Sequence, residues 1–70
     1  MIIIGIDPGI ATVGYGVIEC ISNKCRAIDY GPILTPSNLS MPNRLDMIFE
    51  ELNDIIKYFK PHDMAVEELF

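Results

Sequence analysis

Four isoleucines fall within the first six residues, and Ile2, Ile3, Ile4 and Ile6 put β-branched apolar side chains on both alternating faces of one segment. That spacing predicts a strand, Ile2–Asp7, buried from both sides. Apolar residues then resume over Thr12–Ile21 and Cys25–Thr35, separated by the short polar run "SNK", which predicts a hairpin. Pro32 and Pro36 mark the second of these strands as an edge strand, or as one already leaving the sheet. Further on, Leu45, Ile48, Phe49, Leu52, Ile55, Ile56 and Phe59 recur with a helical period and form one stripe of a helix over Met41–Phe59. Ser40 stands at its N-cap with Pro42 in the first turn; Lys57 and Lys60 suit its negative end, and Pro61 stops it. A last short apolar run predicts a strand over Asp63–Glu67.

The order is therefore β-β-β-α-β. A strand that follows a helical crossover returns parallel to an earlier one, and the first strand, apolar on both faces, is its natural neighbour. A sheet buried on both faces needs cover on both, and one helix covers only one. The expectation is the first part of a larger α/β domain, with the chain breaking off at Phe70 just after the fourth strand.

Composition narrows the class. At 70 residues and 50% hydrophobic, the chain is globular, with a small core that hides only about 60% of the surface of its unfolded form. The longest unbroken apolar run, Met1 to Ile4, is far short of a membrane span, and no secretory signal is visible. A net charge of −5 suits a soluble cytoplasmic protein. Taken alone it argues against nucleic-acid binding, which calls for a basic surface. Cys20 and Cys25 flank the hairpin turn; without an export signal they read as reduced packing residues, and with no neighbouring histidine they make a poor zinc site.

Candidate chemistry sits at the strand ends. Asp7 opens an Asp-Pro-Gly turn, which is reason enough for an aspartate there. A second carboxylate changes the reading. If the last strand lies parallel to the first, Asp7 and Glu67 end neighbouring strands about 5 Å apart, on the rim where open α/β sheets bind ligands. Two carboxylates so close repel, and a divalent cation such as Mg²⁺ relieves that repulsion. Glu68 points to the other face. Gly14 and Gly16 share one face of the second strand, which fits either close approach of a ligand or packing against the helix. Gly9 is explained by the turn. His62 reads as a solvated loop residue, with a general base as the alternative, and Tyr15, Tyr30 and Tyr58 have no nameable partner. The five basic residues are scattered and form no patch.

Together, "IGIDPGIATVGYGVIE" and "MPNRLDMIFEELNDIIKYFKPHDMAVEELF" closely resemble the RuvC-type Holliday junction resolvases, over essentially the whole chain. The resemblance implies a ribonuclease-H-like mixed sheet, a homodimer, and Mg²⁺-dependent phosphodiester cleavage at four-way DNA junctions beside a branch-migration helicase complex. It implies two Mg²⁺ ions per complete site, with Asp7 bridging both as the first catalytic, metal-binding acid and Glu67 holding one. Phe70 matches an aromatic that the family uses against the bases at the junction centre. Ile10 and Ala11 depart from the polar or basic residues usual after the turn, and two later acidic ligands and the dimer helix have no counterpart here. These gaps imply that the 70 residues alone are inactive. Two other readings stand beside this one: a nucleotide-binding domain of the actin and sugar-kinase superfamily, and a non-catalytic domain of the same fold.

Overall fold

In the computed structural model, which describes residues 1–9 and 12–67, the chain runs β1 (Ile2–Asp7), β2 (Val13–Ile21), β3 (Lys24–Ile33), α1 (Met41–Phe59) and β4 (Asp63–Val66). The strands form one mixed sheet in the order β3-β2-β1-β4. As the sequence predicts, β1 is central, antiparallel to β2 and parallel to β4. The elements differ from expectation only at their ends, and each shift has a local cause. Ser22 and Asn23 both adopt left-handed backbone, φ 51° and 68°, so the hairpin loop is just these two residues and Lys24 already pairs with Ile21. Pro32 still pairs, opposite Gly14, because β3 is an edge strand whose outer side needs no donor. Between the Val17–Asp29 and Ile18–Ala27 pairs β3 carries one extra residue, Ile28, as a bulge.

Alternation and register place Ile4, Val13, Val17 and Ile33 on one face, with Ile4 opposite Val17 and Val13 opposite Ile33. Among the described residues these four are the buried hydrophobic core. Helix α1 covers that face. The Ser40 hydroxyl accepts from the Asn43 N–H at 3.5 Å, and Lys60, at φ 50°, closes the other end by donating its N–H to the Ile56 carbonyl at 2.8 Å. Arg44 ties the first turn to the end of β3 through Nε to Thr35 Oγ1 at 2.9 Å. The apolar stripe is wider than its contact with the sheet. Ile48, Leu52, Ile55, Ile56 and Phe59 are half-buried, whereas Leu45 and Phe49 stay 57% and 67% exposed. No helix of the described residues is long and apolar enough to cross a membrane.

One expectation fails outright. Cys20 and Cys25 are joined in a disulfide, not held as separate reduced thiols. The two-residue turn explains it: Cys20 and Cys25 are direct partners in the β2–β3 register, so their side chains leave neighbouring strands on the same side. Compartment was the wrong guide; the register decides.

Candidate active site

The face of the sheet away from α1 is built mostly of small residues. Gly5 pairs with Gly16, Asp7 with Gly14, and Gly5 on its other side with Ala65. A Cβ added at Gly16 would meet nothing within 4 Å, and one at Gly14 would lie 3.8 Å from the Asp7 Cβ. Both glycines face away from the helix, so close helix packing does not account for them. They leave an open trough of about 680 Å³ whose lining includes Gly5, Asp7, Gly16, Tyr30, Ala65 and Glu67.

The two carboxylates stand at the carboxyl end of this trough. Asp7 is the last residue of β1. Beside it, Ile6 pairs with Val66, and the Glu67 N–H donates to the Ile6 carbonyl at 3.0 Å, carrying the parallel ladder one step past β4. Asp7 and Glu67 therefore occupy equivalent positions on adjacent strands, separated by about one strand spacing of ~4.8 Å, and alternation directs both to the glycine face. Both are exposed, and among the described residues neither side chain takes part in a hydrogen bond or ion pair. Among the described residues, then, the Asp7 carboxylate bonds to no part of the turn it opens. Gly9, by contrast, belongs to the turn: a side chain there would run into the Thr12 carbonyl oxygen.

As a donor set, two exposed carboxylates on one rim are hard oxygen ligands that suit Mg²⁺, an ion held by one or two carboxylates with the rest of its shell from water and substrate phosphate. No group of three or more His, Cys, Asp or Glu gathers among the described residues, so at this rim the pair stands without a third such ligand.

Sequence reasoning missed two neighbours. Tyr30 pairs with Gly16 and borders the trough with 76% of its surface exposed; counting pairs from the hairpin turn sets Asp29 opposite Gly16, and only the bulge at Ile28 brings Tyr30 there. Tyr15 is not partnerless, since its hydroxyl donates to Asp29 Oδ2 at 3.0 Å on the helix side. That bond to a carboxylate raises the phenol above its ordinary 10.0, helped by partial burial and by the negative charges of Asp29 and Glu51. His62 is also no bare loop residue. Its Nδ1 accepts the Ile2 N–H at 3.0 Å, at the end of β4 remote from Glu67. Phe70, Glu68, Ile10 and Ala11 lie outside the described residues.

Relatives carry the same arrangement of sequence. A chain described as crossover junction endodeoxyribonuclease RuvC from Alkaliphilus oremlandii is 50% identical over all 70 residues, which make up 43% of that relative. Its counterpart from Halothermothrix orenii is 51% identical, with 42% of its length covered. The chain thus spans about two fifths of the curated relatives it matches. Among solved structures, Thermus thermophilus RuvC superposes with a TM-score of 0.85 at 30% identity, over the whole of this chain and 44% of that one. The same protein in complex with Holliday junction substrate gives 0.89, with 45% of it covered. The mixed sheet is accordingly the ribonuclease-H-like sheet of these neighbours. With residues 3–70 matched by the family profile for crossover junction endodeoxyribonuclease RuvC, the chain belongs to the RuvC family.

Proposed function

We propose that the complete protein is a structure-selective endonuclease that resolves four-way DNA junctions by metal-dependent phosphodiester hydrolysis, with Asp7 and Glu67 as its metal-holding acids. One observation carries the site: the parallel β1–β4 register sets both acids at one rim, facing a trough kept clear by glycine. Support for the substrate comes from relatives named crossover junction endodeoxyribonuclease and from the RuvC neighbour solved with Holliday junction substrate. Family membership removes the ground for the actin and sugar-kinase alternative, in which Glu67 has no role.

When bound, two Mg²⁺ ions supply activation of a water and stabilisation of the leaving 3′ oxygen. The residues of this chain do the rest. Asp7 and Glu67 supply the negative charge that draws the cations to the rim, and their strand ends hold that charge in place. Gly5, Gly14 and Gly16 present bare backbone, so a sugar–phosphate chain can come close to the sheet beside the rim, with Tyr30 at the border. The acidic balance of −5 fits this division. A bare carboxylate rim repels phosphate, and cations reverse the sign locally.

In this reading residues 1–70 are the N-terminal part of one ribonuclease-H-like nuclease domain, and two carboxylates alone do not sustain cleavage. The complete protein is a cytoplasmic homodimer that works beside a branch-migration helicase complex, with Phe70 against the bases at the junction centre. The test is cleavage by the full-length protein of a four-way junction and of a linear duplex of the same sequence, with Mg²⁺ and with chelator. Junction cutting that needs Mg²⁺ is expected, with little cutting of the duplex. Equal cutting of both substrates, or cutting that survives the chelator, overturns the proposal.

A further inference from the structure

Strand β4 is only four residues long, and every one of them is exposed. Among the described residues it pairs with β1 alone, and Met64 and Val66 keep 45% and 59% of their surface open. Within the described residues, therefore, burial does little to fix its register. Yet register matters here more than anywhere else in the sheet, because a slip by one residue sends every side chain of a strand to the opposite face. Such a slip would turn Glu67 away from Asp7.

Within these residues the hydrogen bonds at the two ends of β4 do the fixing. At the Glu67 end the bond is ordinary ladder, N–H to the Ile6 carbonyl. At the other end a side chain joins in. The His62 N–H donates to the Ile2 carbonyl at 2.7 Å, and the His62 Nδ1 accepts the Ile2 N–H at 3.0 Å. One residue thus satisfies both backbone groups of Ile2, next to Pro61, which has no N–H to offer. Only two residues, Pro61 and His62, link the left-handed Lys60 cap of α1 to β4, so the clasp sits where the crossover delivers the strand.

We infer that His62 is a positioning residue: its Nδ1 locks β4 onto Ile2 and thereby keeps Glu67 in register with Asp7. The bond requires a neutral ring with its proton on Nε2. Five residues of extended chain, roughly 16 Å, separate His62 from Glu67, which removes the general-base reading. The inference rests on the assignment of Asp7 and Glu67 above.

The experiment uses the full-length protein, its His62→Ala and His62→Asn variants, and Asp7→Asn as a control. The Asn Oδ1 replaces Nδ1 as acceptor. Junction cleavage is measured against Mg²⁺ concentration. For His62→Ala the half-saturating Mg²⁺ concentration is expected to rise about threefold to tenfold, the equilibrium equivalent of one hydrogen bond, with the rate at saturating Mg²⁺ little changed. His62→Asn is expected to return it to the native value. Nitrogen NMR of the ring in the unaltered protein is expected to find the proton on Nε2, with the Ile2 amide protected from exchange. A proton on Nδ1 overturns the inference whatever the variants do. So does an unchanged Mg²⁺ dependence in His62→Ala, or an equal loss in Ala and Asn, which marks general destabilisation. If Asp7→Asn cleaves normally, the site assignment fails, whereas the ring proton and the Ile2 amide still judge the clasp itself.

Discussion

Asp7→Asn in the full-length protein is expected to lower Mg²⁺-dependent junction cleavage by roughly a thousandfold, the rate equivalent of the several kcal/mol that metal catalysis supplies. Junction binding should stay near the native level. The substitution keeps the size and shape of the side chain and removes only its charge. The carboxylate is exposed and no described residue bonds to it. Stability should accordingly change by less than about 0.5 kcal/mol, as at other surface positions. Binding rests mainly on phosphate contacts and junction shape, and losing a negative group beside phosphates removes a repulsion. Glu67→Gln should behave alike, because it ends the neighbouring strand on the same face. Phe70→Ala separates from both, weakening junction engagement while the Mg²⁺ dependence stands. The check is to measure binding and cleavage separately. Cleavage by Asp7→Asn at the native rate would return Asp7 to the status of a turn residue.

Gly16→Leu should produce the reverse pairing of effects. A Cβ at this position meets nothing within 4 Å, so the backbone has room for a side chain that starts there. Glycine inside a strand costs about 0.5–1 kcal/mol relative to a residue with a side chain, and replacing it should hold or raise the melting temperature. The leucine would nevertheless stand in the trough, between Gly5 and Tyr30 on the flanking strands. If the sugar–phosphate chain of a junction lies along this surface, the variant should bind it at least about tenfold more weakly, a loss of about 1.4 kcal/mol. Thermal melting and a junction titration, run on the same preparation, read both effects. A leucine variant that binds as well as the native protein would place the DNA elsewhere. Destabilisation and lost binding together would reduce the glycine to a packing residue.

The features legible in the sequence were those governed by periodicity and by chain order. Ile2, Ile3, Ile4 and Ile6 betray a strand covered on both sides, and such a strand takes the centre of the sheet. The helix-then-strand order makes the β1–β4 pair parallel, and this alone brings Asp7 and Glu67 to one rim. What sequence could not deliver depended on which face each neighbour occupies. Gly14 and Gly16 have two readings until α1 is known to lie on the other side. Leu45 and Phe49 look like core on the helical period, yet among the described residues nothing covers that side of the stripe. His62 resembles any loop histidine until the backbone of Ile2 arrives beside it. The cysteines teach a different lesson. Their pairing follows from the two-residue turn at Ser22 and Asn23, which sets them opposite each other whatever the compartment suggests.

The bulge at Ile28 has a bearing on how the chain tolerates changes of length. Ile28 opposes no residue of β2, while the pairs on either side of it, Val17 with Asp29 and Ile18 with Ala27, keep regular alternation. The edge strand therefore holds one spare residue. Deleting Ile28 would straighten β3 and lessen its twist, yet leave Cys25 facing Cys20, Tyr30 beside the trough and Ile33 in the core. An insertion between Tyr30 and Ile33 has no such slack. It would swing Ile33, only 2% exposed, out of the core and put its neighbour in its place. Gaps in this edge strand are thus absorbed at one point and ruinous a few residues away.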